Sequence, residues 1–322
     1  MSEPVRDAMI VRDIVPLSAD VVGITLAFED GRALPPWAPG DHIDIELERG
    51  LTRQYSLCGS AEDAQAWSVA VRRDRAGRGG SAFAHERLRP GHRVRVAGPR
   101  ARFVLEDASS YVLVAGGIGI TPILTMAERL ARSGKPFRLY YFDRGSERMV
   151  FADRLAALGP AAVVVDRDLD ATTTLAHAIG GLAADALVYA CGPTRMLSEL
   201  TLLIEPTRLR VEDFSPARET GADPATADGE STEDDAFEVQ LGREGEVHPV
   251  PAGCSLLDVL LGAGVDVMWS CREGNCASCE TPVLDGVPDH RDVILTEDER
   301  AANDVIFPCV SRARSGRLVL DV

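Results

Sequence analysis

The chain of 322 residues has room for two or three ordinary domains, each with a core of its own. Hydrophobic residues make up 45% and charged residues 26%, the balance of a globular protein, and no apolar run approaches the roughly 20 residues that span a bilayer. A net charge of −16 argues against nucleic acid as a partner, because a polyphosphate would be repelled.

The stretch Met1-Ser2-Glu3-Pro4-Val5-Arg6-Asp7 shows neither the basic region nor the apolar core of a secretion signal, so a cytoplasmic location is expected. There the odd set of cysteines (Cys58, Cys191, Cys254, Cys271, Cys276, Cys279 and Cys309) would stay reduced, which speaks against a disulfide framework. Four of them fall in the last 52 residues, and such clustering points to metal.

Residues 1–103 read as short strands between Gly/Pro turns, at 21–26, 42–47, 67–71 and 93–96, the pattern of a small antiparallel barrel. Within it, Arg53-Gln54-Tyr55-Ser56 offers an aromatic ring to stack, a hydroxyl, and a guanidinium for a phosphate. That set suits a flavin, although it also suits an ordinary strand. Arg78-Gly79-Gly80-Ser81 follows the strand that ends in Val71-Arg72-Arg73. Its glycines allow close backbone approach to an anion, and Ser81 stands where a helix could start; a solvated arginine-rich turn is the alternative.

Residues 104–216 change character. A continuous apolar strand at 111–115 leads into Gly116-Gly117-Ile118-Gly119-Ile120-Thr121-Pro122 and a helix over 121–133, where an open α/β sheet binds a pyrophosphate. Strands at 138–142, 162–165 and 186–190 alternate with helical stretches at 151–158 and 194–205, the signature of a parallel sheet. Cys191-Gly192-Pro193 closes one strand, with a buried structural thiol as the alternative role for Cys191. Asp143 closes another, and a carboxylate there would accept from ribose hydroxyls and repel a 2′-phosphate, favouring NADH; Arg144 beside it pulls the other way.

Residues 217–235 carry seven acids and one arginine and read as a self-repelling linker. Beyond it come two short strands, a helix at 256–262 and the loop Cys271-Arg-Glu-Gly-Asn-Cys276-Ala-Ser-Cys279, with Cys309 thirty residues on. This C-x4-C-x2-C…C is the plant-type [2Fe–2S] spacing. Zinc sites usually pair cysteines as CxxC…CxxC, which is not found here. Cys254 reads as a buried thiol.

The cysteine loop, Asp289-His290-Arg291-Asp292, and the ending Cys309-Val-Ser-Arg-Ala…Leu318-Val-Leu-Asp321 resemble the ferredoxin domain of the phthalate dioxygenase reductase family, to which vanillate O-demethylase reductases also belong. The resemblance covers essentially the whole chain, and Arg53-Gln54-Tyr55-Ser56 matches the Arg-x-Tyr-Ser signature of the wider ferredoxin reductase superfamily. Ala277 departs from it, standing where relatives commonly carry glycine.

The resemblance implies an antiparallel β-barrel flavin domain (1–103), an α/β parallel-sheet NAD domain (104–216), and an α+β, β-grasp ferredoxin domain (236–322). It implies FMN rather than FAD, held by Arg53, Tyr55, Ser56, Val71, Arg72, Arg78, Gly79, Gly80, Ser81 and Thr121, with Phe214 over the ring or else packed in the core. NADH would be held by Gly116, Gly117, Gly119, Asp143, Arg144, Cys191, Gly192 and Pro193. The cluster would sit on Cys271, Cys276, Cys279 and Cys309.

A hydride from NADH would then reach FMN and leave as single electrons through the cluster. None of the six histidines forms a His/carboxylate iron triad, so the final acceptor is expected to be another protein, a Rieske-type oxygenase working with a monomeric reductase. A reductase for a cytochrome P450 or carnitine-type monooxygenase is the alternative, and an Fe–S redox sensor a third reading.

Overall fold

Six antiparallel strands fill the first third of the chain: β1 (Val5–Ser18), β2 (Val21–Ala27), β3 (Asp41–Glu48), β4 (Leu51–Ser56), β5 (Trp67–Arg72) and, after the short helix α1 (Gly80–Glu86), β6 (Arg93–Ala101). They lie in the order β4-β3-β6-β1-β2-β5, and a bridge between Leu57 and Val69 joins the two ends of the sheet. Every second residue turns inward, so Met9, Val11, Ile24, Leu26, Ile43, Ile45, Trp67, Val94 and Val96 form one core. The length of β1 was not foreseen. Its register shifts between Val11 and Asp13 and again between Pro16 and Ser18, and bulges of this kind erase the two-residue period. The computed structural model describes residues 5–48, 51–74, 79–170, 172–183, 185–214, 236–265, 267, 269, 272, 274 and 279–322.

The next five strands are all parallel: β7 (Tyr111–Gly116), β8 (Phe137–Asp143), β9 (Ala162–Asp166), β10 (Leu187–Cys191) and β11 (Leu209–Glu212), in the order β11-β10-β7-β8-β9. Helices α2 (Ile120–Ser133), α3 (Ala152–Ala157), α4 (Leu175–Ile179) and α5 (Thr194–Leu203) connect them. The central strand β7 is buried along its whole length, as a strand covered on both faces must be. On one face, Ile123, Leu124 and Ala127 of α2 share a core with Leu113 and Tyr141, and also with Val21, Cys58 and Ala70 of the barrel. That shared core is why barrel and parallel sheet fall into one unit, Met1–Phe214.

The second unit, Ser215–Val322, holds β12 (Phe237–Leu241), β13 (Val247–Val250), α6 (Leu256–Gly262), β14 (Thr281–Asp285), β15 (Pro288–Asp289), α7 (Glu297–Ala302), β16 (Val305–Ile306), β17 (Arg312–Ala313) and β18 (Arg317–Leu320). Its main sheet runs β13-β12-β18-β14-β16, with β12 and β18 parallel and the other pairs antiparallel. Leu256, Leu257 and Leu260 of α6 pack in one core with Phe237, Val239, Phe307, Leu318 and Leu320, the mixed α+β arrangement expected of a β-grasp. The acidic run 217–235 lies outside the described residues. Among those described, no helix is long and apolar enough to cross a membrane.

Candidate functional site

The loop after β7 and the turn after β10 meet backbone to backbone, because their strands are neighbours with Ala115 opposite Cys191. A Cβ on Gly119 would stand 2.2 Å from the Cys191 carbonyl oxygen, and one on Gly116 would stand 2.6 Å from Pro193 Cδ. Neither contact is tolerable, so only glycine lets the loops close. Six of the eight residues assigned to NADH from sequence thus come together: Gly116, Gly117, Gly119, Cys191, Gly192 and Pro193. The Cys191 thiol is fully buried, and burial pushes its pKa well above the ordinary value, which keeps it protonated and unreactive.

Asp143 ends β8 beside this loop. Its carboxylate accepts from Arg72 Nη2 at 2.6 Å and from the Arg144 N–H at 2.9 Å, and its side chain is only 9% exposed. Arg72 Nη2 also reaches the Arg148 carbonyl at 3.1 Å, and Arg148 donates to Asp20 Oδ2 at 2.9 Å. A Cβ on Gly117 would lie 2.5 Å from Arg72 Nη1. Sequence reasoning set Arg72 on the flavin and Asp143 on the coenzyme, whereas the fold pairs them directly. Arg144 points to solvent.

In the barrel, Arg53 and the first residue of α1 are in contact: a Cβ on Gly80 would be 2.6 Å from Arg53 Cγ. The helix starts at Gly80 with Gly79 at its cap in the left-handed region, φ 83°, so Ser81 lies inside the first turn instead of opening it. The Ser81 hydroxyl accepts from the Asp74 N–H at 3.0 Å, which pins the base of the loop. Arg78 lies outside the described residues. Val71 belongs to the barrel core, and the Thr121 hydroxyl donates to the Ile118 carbonyl at 3.0 Å. Burial raises the pKa of the Tyr55 phenol, so the group stays neutral. Phe214, the last described residue of the unit, is 43% exposed, which excludes the core-packing role and leaves its ring accessible.

Among the buried side-chain polar atoms of this unit without a hydrogen-bond partner are Ser56 Oγ and three on residues with no role assigned from sequence: His42 Nε2, Gln54 Nε2 and Glu212 Oε2. His42 sits directly opposite Ser56 across β3 and β4, and Gln54 opposite Asp44. Glu212 ends β11 in register with Cys191, and burial pushes its carboxyl up to about 8. The charge of Arg102 acts on both His42 and Glu212, which ties the barrel group and the sheet group to one neighbourhood. Orphaned buried polar atoms are rare, and a set of them suits a ligand with donors and acceptors along its edge, as a flavin ring has. The missed Glu212 had a signal: it stands at the carboxyl end of a parallel strand, where ligands of open α/β sheets bind.

In the second unit, Cys279 and Cys309 are buried in the core that holds Phe307 and Leu256. The Cys279 carbonyl accepts from the Thr281 hydroxyl at 3.1 Å, and the Gly274 carbonyl from the Val293 N–H at 3.0 Å. Cys271, Cys276 and Ala277 lie outside the described residues. The motif residues serve as supports: Asp292 Oδ1 accepts from the Ile294 and Leu295 N–H groups at 2.9 Å, and Arg312 Nη1 donates to the Cys254 carbonyl at 2.6 Å. Cys254 is exposed, which corrects its reading as a buried thiol. It belongs to the turn before Ser255, the residue that caps α6, and its carbonyl faces the protein through Arg312.

Residues 239–314 match the family model described as a 2Fe-2S iron-sulfur cluster binding domain. The vanillate O-demethylase oxidoreductase of Pseudomonas putida is 38% identical, over 94% of this chain and 96% of that protein. Among solved structures, phthalate dioxygenase reductase, described as a modular structure for electron transfer from pyridine nucleotides to [2Fe-2S], is 33% identical with a TM-score of 0.73, covering 98% of both chains. An intact type IV self-sufficient cytochrome P450 monooxygenase is 38% identical with a TM-score of 0.83; it matches 98% of this chain, which spans 41% of that one. Sharing its barrel, its parallel sheet and its 2Fe-2S domain with such reductases at a third or more identity along nearly its whole length, the chain belongs to the phthalate dioxygenase reductase family of oxidoreductases.

Proposed function

We propose that the protein is the NADH-dependent reductase component of an oxygenase system, with FMN in its first unit and a [2Fe–2S] cluster on Cys271, Cys276, Cys279 and Cys309 in its second. The observation that carries this reading is the union, in one chain, of the C-x4-C-x2-C…C domain with a unit in which Arg53 packs on Gly80 and Gly119 on Cys191. When bound, the flavin supplies the exchange between a two-electron hydride and the single electrons that a [2Fe–2S] cluster accepts.

The chain's own residues fit that task. Arg53, with the glycine-rich turn Arg78-Gly79-Gly80, meets a terminal phosphate, and this supports FMN, whose phosphate ends the molecule. Tyr55 offers a neutral ring, Ser56 a buried hydroxyl and Phe214 an exposed ring free to cover the flavin, and Val71, Arg72, Ser81 and Thr121 complete the proposed set. Gly116, Gly117 and Gly119 present backbone to a pyrophosphate, and Cys191-Gly192-Pro193 walls the nicotinamide side. Asp143, fixed by Arg72, accepts from ribose hydroxyls and repels a 2′-phosphate, which supports NADH over NADPH.

The partner is read as a Rieske-type oxygenase, in line with the relatives named for vanillate O-demethylase and for phthalate dioxygenase. A cytochrome P450 is the second reading, and the monooxygenase chain with a TM-score of 0.83 supports it. The test is reconstitution. Purified protein should contain roughly one flavin, two irons and two labile sulfides per chain, and NADH should reduce cytochrome c rapidly. Electron delivery to a Rieske centre but not to a P450 haem would support the first reading, and the reverse result would replace it. Slow, non-catalytic turnover of NADH with either acceptor would point to a sensor instead.

We also read 1–103, 104–216 and 236–322 as three domains, with 217–235 as the linker. Limited proteolysis within 217–235 should release a fragment that keeps the cluster colour.

A further inference from the structure

Ser56 and His42 face each other across β4 and β3, and each residue is only 4% exposed. Directly opposed residues of an antiparallel pair carry their Cβ atoms about 5 Å apart on the same face. Ser56 Oγ and His42 Nε2 are each buried without a partner. A seryl hydroxyl changes direction by rotation about χ1 and its own C–O bond, so no backbone movement is needed for it to meet the ring.

The polar groups around the ring leave Nε2 to Ser56. Asp44, on the same strand, is held by Arg100 of β6, the residue opposite His42 on its other side. Asp41, next to His42, accepts from the Ala38 N–H at 2.8 Å. Gln54 lies two residues before Ser56 on β4 and opposite Asp44, and the charge of Arg102 acts on the ring. Burial, with the charges of Arg100 and Arg102, lowers the imidazole to about 4 against the pull of Asp44. The ring is therefore neutral at physiological pH and keeps one nitrogen lone pair.

We propose that His42 is a positioning residue acting through Ser56: His42 Nε2 accepts a hydrogen bond from the Ser56 hydroxyl, which turns the Ser56 oxygen lone pairs toward the flavin. This rests on the flavin reading given above and goes one residue deeper into it. The arrangement puts the imidazole hydrogen on Nδ1. An oxygen presented in this way accepts from a ring N–H and repels a ring nitrogen lone pair. Reduction gives the flavin an N–H at N5, so the His42–Ser56 pair favours the reduced form. With Ser56 released to donate instead, the preference reverses.

The test uses the full-length holoenzyme and reads flavin content and flavin midpoint potential, the latter by anaerobic equilibration with reference dyes. His42→Leu should shift the oxidised–reduced equilibrium about tenfold toward oxidised, about 30 mV for a two-electron couple. His42→Gln, which keeps an acceptor carbonyl, should stay within about twofold of the parent protein. Ser56→Ala should shift in the same direction but by less, since it removes the acceptor without supplying a donor, and adding His42→Leu to it should change nothing more, because His42 acts only through Ser56.

An unchanged potential in flavin-loaded His42→Leu, or shifts of the two single variants that add, would overturn the proposal. Should His42→Leu lose its flavin, His42→Asn replaces it: the shorter amide falls short of Ser56 and should shift where His42→Gln does not. Equal potentials for these two would also overturn it. If the parent protein contains no flavin and takes up none when supplied, the reading of the unit as a flavoprotein fails, a result distinct from any of these.

Discussion

The loop at Gly116–Gly119 and the loop at Cys271–Cys279 are the two most recognisable segments of the chain, and they are made in opposite ways. The first works by what is absent: glycines without Cβ atoms let one loop lie against Cys191-Gly192-Pro193. The second works by what is present, namely sulfur atoms at a fixed spacing. A site of the first kind is broken by adding an atom, and a site of the second kind by exchanging one.

Substitutions put this contrast to the test, beginning with the loss of the cluster and ending with a shift in pH dependence. Serine in place of Cys271, Cys276, Cys279 or Cys309 should abolish the visible absorbance of the cluster while NADH still bleaches the flavin. Full cluster occupancy in all four variants would remove the cysteine assignment. Gly119→Ala, with its methyl driven into the Cys191 carbonyl at 2.2 Å, should weaken coenzyme binding on the order of a hundredfold, about 2.7 kcal/mol. Gly262→Ala in α6 meets nothing within 4 Å and should stabilise its unit by up to about 1 kcal/mol. Equal effects of the two alanines, measured by coenzyme titration and thermal melting, would erase the distinction between them.

Arg72→Ala sharpens the contrast, because here a side chain supports the glycine loop. Removing it strands Asp143, 9% exposed, and should cost about 3 kcal/mol in denaturant unfolding of the first unit. Asp143→Ser acts the other way on specificity. It leaves the Arg72 guanidinium beside Gly117 without its carboxylate, so the NADH-to-NADPH ratio of kcat/KM should fall about tenfold. An unchanged ratio would move specificity to Arg144.

The smallest effect is one of pH. Glu212 has its carboxyl raised from 4.5 to about 8 in the folded protein, so the folded state holds a proton that the unfolded state releases. Stability from this group is complete below pH 4.5 and is lost as pH rises toward 8. Glu212→Gln should flatten the fall in Tm across that window, and parallel Tm curves for both proteins would contradict the buried, protonated carboxyl.

The legible parts of the fold were those with one dominant period. The strands β7, β8, β9 and β10 and the helices α2, α3 and α5 carry clear apolar patterns, and each was read within a residue or two of its bounds, whereas the short α4 and β11 went unread. The bulged β1 was not legible, since two register shifts scramble its alternation. The same divide runs through the site. Glycine and cysteine positions announce themselves by residue type and spacing. The Arg72–Asp143 pair joins residues 71 positions apart, and His42 and Gln54 are singled out only by burial and missing partners. No local pattern carries that information.

The chain Asp20–Arg148–Arg72–Asp143 links the β1–β2 turn, the end of β5 and the end of β8, over a hydrophobic core common to barrel and sheet. Its consequence is mechanical. On the coenzyme reading proposed above, a seat framed by two elements that share one interior and are laced by ions along their seam is a socket, and it does not work as a pair of jaws. Coenzyme should enter without parting the sheets, association should show no slow closing phase, and heat should melt barrel and sheet in a single transition. Salt, by loosening the lacing while sparing the core, should lower that transition without splitting it.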